Sequence, residues 1–358
     1  MEKKILKVVT TFCGCLTVLA CVCLYFFPGM KETMAAEPEI SIGIVPEEKV
    51  EVQVQAPQLP PVEDGADEDV VADDYMEKLN IQLPEGVHGG MVSISNDYLT
   101  QTVKVRFAKG VDHYSENYQV FGSSDYIASV GYYRDGEAGV LEIQLDQVCE
   151  YAYTYREGYL CIDFMDPHEI YDKVIVVDAG HGGRAPGAVK KGVLEKDLNL
   201  GVIKAIKELF DGEENIKVYY TRLGDTNPSL SKRVGLANKA KADLFISIHH
   251  NSSASGKFND TNGTMVLYNE ADKSEYSSKH FAEICIKNVM EAAGSNRRGL
   301  KKGNYVQIVR NSQVPVALIE VGYMTNLAEL EKIQTPEYQK LVAQGVYNAV
   351  MQAFEEGY

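Results

Sequence analysis

Basic charge is scarce in this sequence. Its 358 residues hold 35 Lys+Arg against 51 Asp+Glu, a formal net charge of -16. That balance argues against a nucleic-acid binder, whose affinity rests on neutralising phosphates. Cysteines at metal-binding spacing are also lacking. Of seven cysteines, four (Cys13, Cys15, Cys21, Cys23) sit in the first apolar run, which leaves Cys149, Cys161 and Cys285. No C-x-x-C relates those three, so neither a zinc-thiolate site nor a dense disulfide framework is expected. A single Cys149–Cys161 bridge stays open. There is no compact H-E-x-x-H helix and no internal repeat. Only one uncharged run is long enough to cross a bilayer, which excludes a multi-span membrane protein. A composition 45% hydrophobic and 24% charged excludes a wholly disordered chain.

The charge that is present is unevenly spread. Residues 1–30 carry +2, residues 31–85 carry -12, residues 86–171 carry -8 and residues 172–358 carry +2. The near-neutral C-terminal half could approach a polyanionic surface without strong repulsion. Lys3, Lys4 and Lys7 precede the uncharged run Val8–Phe27, twenty residues that cover about 30 Å as a helix. The basic flank places the N-terminus in the cytoplasm and the rest outside. A membrane anchor over 1–30 is therefore expected. Cleavage at the small-residue stretch Thr33-Met34-Ala35, giving a secreted protein, is the alternative. Residues 31–85 hold six prolines and fifteen acidic residues against three lysines, the composition of an extended, disordered linker.

Residues 86–171 read as short strands: Met91–Ser95, Thr102–Phe107, Tyr118–Phe121, Tyr126–Tyr133, Val140–Leu145, Tyr151–Tyr155 and Leu160–Phe164. Asp135-Gly136 and Glu157-Gly158 mark turns between them. A small all-β sandwich follows. It holds 11 of the 22 tyrosines; exposed ones could stack on sugar rings, although half-buried strands favour tyrosine in any case.

From residue 172 the pattern changes to alternating strands and helices. Strands are expected at Val174–Val177, Lys217–Thr221, Asp243–His249, Thr264–Tyr268 and Val316–Glu320. Helices are expected at Lys196–Phe210, Leu230–Ala240, Ser274–Ala293 and Pro336–Phe354. The fold class is α/β: a C-terminal sheet covered by helices on both faces, preceded by the all-β domain, the acidic linker and one N-terminal membrane helix.

Four ionisable residues stand out within 172–358. His181 follows the first strand in Asp178-Ala179-Gly180-His181-Gly182-Gly183. Glu195 opens the next helix. His249 and Glu320 end two further strands. Open α/β sheets bind ligands at the carboxyl ends of their strands, so the four could converge there. Two imidazoles and a carboxylate are a common ligand set for a catalytic zinc with one position open to water. A second carboxylate could take the proton from that water. Taken singly, a His or Glu at a strand end is more often a surface or hydrogen-bonding residue, and the adjacent His249 and His250 point to opposite faces of their strand, so periodicity does not choose between them.

The surrounding stretches add specificity. Val176-Val177-Asp178-Ala179-Gly180-His181-Gly182-Gly183, Glu195-Lys196-Asp197-Leu198-Asn199-Leu200, Thr221-Arg222, Leu230-Ser231-Lys232-Arg233, Ala237-Asn238, Ser247-Ile248-His249-His250-Asn251 and Ile319-Glu320-Val321-Gly322-Tyr323-Met324-Thr325-Asn326 recur in the order of a known family. Residues 172–358 resemble the zinc-dependent N-acetylmuramoyl-L-alanine amidases, the Amidase_3 family. The resemblance implies a zinc held by His181, Glu195 and His249, with Glu320 as the catalytic glutamate. It selects His249 over His250 and leaves His250 and Asn251 as candidate substrate contacts. It departs at Ala185, where the family often carries Asp, which puts support of the glycine loop in question. No long inhibitory helix appears between Ser252 and Asn262. Residues 86–171 are weakly similar to the AMIN targeting module.

The expectation is thus a membrane-anchored, extracytoplasmic peptidoglycan hydrolase that cuts between N-acetylmuramic acid and L-alanine. Its partners would be peptidoglycan, the membrane and an unidentified activator protein, with no nucleic acid. Two rivals remain: a zinc peptidase acting within the stem peptide, and a catalytically inactive wall-binding protein.

Overall fold

The computed structural model describes residues 50–51 and 78–358. The expected anchor over residues 1–30, and most of the expected linker, lie outside the described residues. Among the described residues no helix is long and apolar enough to cross a membrane.

The first region is antiparallel throughout. Its strands are β1 (Val50–Glu51), β2 (Leu79–Gln82), β3 (Val92–Asp97), β4 (Thr102–Phe107), β5 (Val120–Phe121), β6 (Ile127–Asp135), β7 (Ala138–Leu145), β8 (Glu150–Arg156) and β9 (Tyr159–Met165), with a one-turn helix α1 (Tyr114–Asn117). They form a five-stranded sheet, β1-β6-β7-β4-β3, and a four-stranded sheet, β5-β2-β9-β8. Period-two patterning explains the packing. Val103, Val105 and Phe107 of β4 face Leu79 and Ile81 of β2 and Leu160 and Ile162 of β9 across one shared core. Asp135-Gly136 and Glu157-Gly158 sit at hairpin tips, where Gly136, Glu157 and Gly158 take positive φ.

One expectation about this region needs correction. β1 and β2 lie inside the segment read as linker. Leu79 and Ile81 are fully buried, and β2 bonds to both β5 and β9. Four residues offer too short an alternation to be seen among the acidic and proline-rich residues around them. The Cys149–Cys161 bridge that the sequence left open does not form: neither cysteine is in a disulfide and both are buried, Cys149 in the sandwich core and Cys161 packed with Phe121 in a separate cluster.

The second region is a six-stranded mixed sheet, β13-β10-β14-β17-β15-β16. Its strands are β10 (Lys173–Ala179), β13 (Ile216–Tyr220), β14 (Leu244–Asn251), β15 (Thr264–Tyr268), β16 (Arg297–Lys302) and β17 (Val316–Tyr323); a small hairpin joins β11 (Val189–Lys190) to β12 (Val193–Leu194). The helices are α2 (Glu195–Phe210), α3 (Leu230–Lys239), α4 (Ser278–Ala293), α5 (Gln307–Arg310), α6 (Leu327–Ile333) and α7 (Pro336–Glu355). Strands β13, β10, β14 and β17 are mutually parallel, whereas β15 runs antiparallel to β17. Near-continuous Val/Ile runs form the central strands because both faces are covered. One face packs Ile175, Val177, Ile246, Ile248, Ala317 and Ile319 under α2, α4 and α7. The other packs Val174, Val176, Phe245 and Leu318 under α3 and α5.

Helix starts follow from their caps. Ser229, Ser277 and Thr335 each accept a hydrogen bond from a backbone N–H in the first turn of α3, α4 and α7. The fourth helix therefore begins at Ser278, not at Ser274 as its periodicity suggested. β16 was not expected, because Arg297-Arg298-Gly299-Leu300-Lys301-Lys302 holds a single apolar side chain. It is an edge strand, where charge is at home.

The sandwich rests on the α3/α5 side of the sheet. Val148 is part of the core there, with Tyr98 and Leu99 packed against it. Tyr219 donates to Glu150 Oε1 (2.7 Å), Tyr98 donates to Glu150 Oε2 (3.1 Å), and Lys217 pairs with the same carboxylate at 2.8 Å.

Candidate metal centre

The carboxyl ends of β10, β14 and β17 lie side by side, and His249 is in register with Glu320. Their neighbours Ile248 and Ile319 fill the core under α2 and α7. Alternation therefore turns His249 and Glu320 to the opposite face. His181 follows β10, and Glu195 is the first residue of α2.

Glu195 Oε1 lies 3.1 Å from His181 Nε2 and 3.0 Å from His249 Nδ1. One ligand atom from each of the three residues falls within 4.8 Å of the others. Donors about 2.1 Å from one zinc ion at the tetrahedral angle would stand about 3.4 Å apart. The set therefore has the size and chemistry of a three-ligand zinc site. The carboxylate is also anchored: Glu195 Oε2 accepts from the Ala188 N–H (2.8 Å), and Oε1 accepts from the His250 N–H (3.2 Å). Burial alone would raise the Glu195 carboxyl, but hydrogen bonds from His181 and His249 outweigh it and hold the group well below the carboxylate range. Two glycines make room. A Cβ on Gly180 would stand 2.3 Å from the His249 ring, and one on Gly187 would stand 2.5 Å from Glu195 Oε2.

Glu320 differs from Glu195. Its Oε2 is buried with no hydrogen-bond partner among the described residues. Burial pushes its carboxyl up to about 7, with the nearby His249 opposing and the Glu195 charge adding to the rise. A carboxyl poised near neutrality can both accept and donate a proton. An open cleft of about 310 Å³ reaches the site between His181, His249 and Ala185 on one side and Asn227, Leu230 and Ile308 on the other.

Buried charged residues hold this geometry. Asp178 is fully buried and accepts from Thr221 (2.6 Å), Ser247 (2.6 Å) and Arg233 (2.7 Å). Burial would raise its carboxyl, but Arg233 and the two hydroxyls hold it below the usual value. Arg233 is 2% exposed and also donates to the His181 carbonyl at 2.7 Å. His181 takes φ 61, a left-handed conformation uncommon for a residue with a side chain. Arg222 is buried too, and bonds the carbonyls of Ala179 (2.9 Å) and Gly180 (2.8 Å). The available signals were an Asp at the end of a buried strand and an Arg on the apolar face of α3. Both are ambiguous without the fold.

The other candidate residues sit elsewhere. His250 turns toward α2, where its Nδ1 donates to Asn199 Oδ1 at 2.8 Å. Burial lowers it to about 4, so the ring is neutral. Asn251 accepts from the Ser252 N–H at 2.8 Å, capping its own loop. Ala185 leaves the glycine loop well supported. Gly182 and Ala185 exchange two backbone hydrogen bonds of 2.9 Å, and Asp225 accepts from the Gly183 N–H at 2.7 Å.

Residues 175–352 match the family profile Amidase_3, N-acetylmuramoyl-L-alanine amidase. The chain is 30% identical over 198 residues to the germination-specific N-acetylmuramoyl-L-alanine amidase of Bacillus subtilis (strain 168), covering 51% of this chain and 81% of that protein. The chain belongs to the N-acetylmuramoyl-L-alanine amidase family. It is also 32% identical over 183 residues to the sporulation-specific N-acetylmuramoyl-L-alanine amidase of the same organism, covering 50% of this chain and 68% of that one. Among solved structures, the catalytic domain of the amidase CwlV from Bacillus (Paenibacillus) polymyxa var. colistinus aligns at TM-score 0.47 and 34% identity, covering 51% of this chain and 98% of that one. The amidase match falls on the α/β region that carries the His181–Glu195–His249 group.

Proposed function

We propose that this amidase cleaves the bond between the lactyl carbonyl of N-acetylmuramic acid and the L-alanine of the peptidoglycan stem peptide, using one zinc ion. The observation that carries this reading is the three-donor group beside a separate, partnerless carboxyl. His181 Nε2, Glu195 Oε1 and His249 Nδ1 would hold the ion. When bound, zinc supplies a Lewis acid that acidifies water and polarises the amide carbonyl. Glu320 accepts the proton as water attacks the carbonyl carbon, then hands it to the alanine nitrogen as the C–N bond breaks. Asp178, Arg222 and Arg233 position the loop that presents His181. His250 packs against α2 through Asn199, and Asn251 caps its own loop.

The composition of residues 1–85 supports an anchored enzyme whose folded part lies outside the membrane. On this reading the sandwich is a wall-localising module, as its resemblance to AMIN implied.

The test uses the full chain on purified peptidoglycan, with and without a chelator. The expected products are stem peptides with a new L-alanine N-terminus by mass spectrometry, lost on chelation and restored by zinc. Cleavage within the peptide instead would favour a peptidase. His181→Ala should lose bound zinc by elemental analysis; unchanged zinc content would remove His181 from the ligand set.

A further inference from the structure

Four cations lie on β16, the exposed edge of the sheet. Two are neutralised: Arg297 pairs with Glu283 at 2.6 Å, and Lys302 pairs with Glu270. Arg298 and Lys301 form no ion pair among the described residues. Each instead lies against an aromatic ring. The Lys301 ammonium is 5.0 Å from the Tyr305 ring centre, and the Arg298 guanidinium is 5.9 Å from that of Tyr323. Tyr305 is the most exposed large hydrophobic side chain among the described residues, at 62%.

The sheet connects this patch to the reactive centre. Glu320 is in register with Met265, and Met265 with Gly299. Leu300 packs into the α4 side of the sheet, so Gly299 and Lys301 face the other way, toward the side that carries Glu320. Gly299 adds no side chain to the row. Ile308, three residues beyond Tyr305, lines the cleft. Lys301, with Tyr305 against it, therefore faces the side of the sheet that carries Glu320.

We infer that Lys301, with Tyr305, forms a subsite for a carboxylate on the peptide side of the cleaved bond. The inference rests on the amidase reading above. On the acyl side of that bond the substrate is an uncharged sugar ether. On the amine side, the residue after L-alanine is a γ-linked D-glutamate with a free α-carboxylate. Two strand spacings separate Glu320 from β16, about 10 Å. Two extended residues span about 7 Å, and a lysine side chain closes the remainder. An unpaired cation there would set the direction of the bound chain and favour acidic over amidated stems.

The experiment gives the full chain two muramoyl dipeptides, one ending in D-glutamate and one in D-isoglutamine, which differ in that carboxylate alone. The acid form should show a KM about tenfold lower, as expected for a charge-assisted contact. In Lys301→Ala the two KM values should converge, with kcat within about twofold and Lys301→Arg restoring the preference. Equal KM values in the unaltered protein, or equal losses on both substrates, would overturn the subsite. A parallel calorimetric titration with L-Ala-D-Glu and L-Ala-D-isoglutamine needs no turnover. If neither muramoyl dipeptide is cut, the amidase reading fails, and this titration alone decides the subsite: preference for the acid, lost in Lys301→Ala, upholds it, and no preference overturns it. Glycerol-phosphate oligomers that displace the peptide and bind more tightly would overturn the carboxylate assignment in favour of wall phosphate.

Discussion

The sandwich and the α/β region bury their polar groups differently. Among the described residues the sandwich buries Asn80, Gln101 and Thr102, all neutral. The α/β region also buries Asp178, Glu195, Arg222 and Arg233, all charged. Desolvating a charge is costly unless partners compensate it. A region that does so repeatedly within a few residues of one loop is spending stability to fix a geometry. The sandwich shows no such expense; two sheets around an apolar core suffice for its fold.

The largest expected effect lies at Glu320, the buried carboxyl that has been left without a partner. Glu320→Ala should lower turnover by roughly 10³-fold, within the range for a general acid–base group, while bound zinc is unchanged. Because a partnerless buried group is removed, the thermal midpoint should stay level or rise. Retained turnover would end its catalytic role, and lost zinc would make it a ligand instead.

Arg233→Met tests the contrast directly. It leaves Asp178 buried without its cation and frees the His181 carbonyl, and breaking a buried ion pair costs about 3–5 kcal/mol. Urea unfolding should show that loss. Thr102→Val, at a buried neutral group of the sandwich whose hydroxyl makes only long bonds to Thr100 (3.2 Å) and Gln144 (3.3 Å), should cost within about 1 kcal/mol. Similar losses at both positions would erase the distinction between the two regions.

The sandwich has its own vulnerable element in β2. Ile81→Ala removes a fully buried side chain and should cost about 3 kcal/mol. A chain beginning at residue 86 should fare worse than one beginning at residue 78, because β5 and β9 both lose a partner strand. Equal urea midpoints for those two chains would make β2 dispensable and return the domain boundary to its sequence-based position.

Legibility followed the same division. Long periodic stretches such as β4, β7, α2 and α7 were readable because alternation or a helical stripe must bury an apolar face. The site candidates were readable because His181, His249 and Glu320 follow or end strands whose carboxyl ends lie together, while the division into ligands and catalytic glutamate came from the family resemblance alone. Short or charged elements escaped. β2 has two apolar residues, β16 has one, and α5 is a single turn, so none carries enough periodicity. Asp178 and Arg233 escaped as an active pair because a buried salt bridge joins distant positions in the chain. The pairing exists only once β10, α3 and the loop after β10 have been assembled.

The smallest expected effect lies where the two regions touch. Asp166, at the end of the sandwich, pairs with Lys241 of the α/β region at 2.8 Å and accepts from the His168 N–H at 3.1 Å. Burial alone would raise its carboxyl, but Lys241 and His168 outweigh that and hold it at about 2. A carboxyl depressed in the folded state stabilises above its unfolded value near 4, and that contribution is lost as pH falls through about 2. Lys241 is largely exposed, so solvent screens the pair and the contribution at neutral pH is about 1 kcal/mol. Asp166→Asn should therefore lower stability by that amount at pH 7, with the difference from the unaltered protein shrinking between pH 4 and pH 2. If the difference instead stays constant across that range, the contact works through packing and hydrogen bonding alone. The charge would then have no part in joining the two regions, and ionisable side chains would matter chiefly around the His181–Glu195–His249 group.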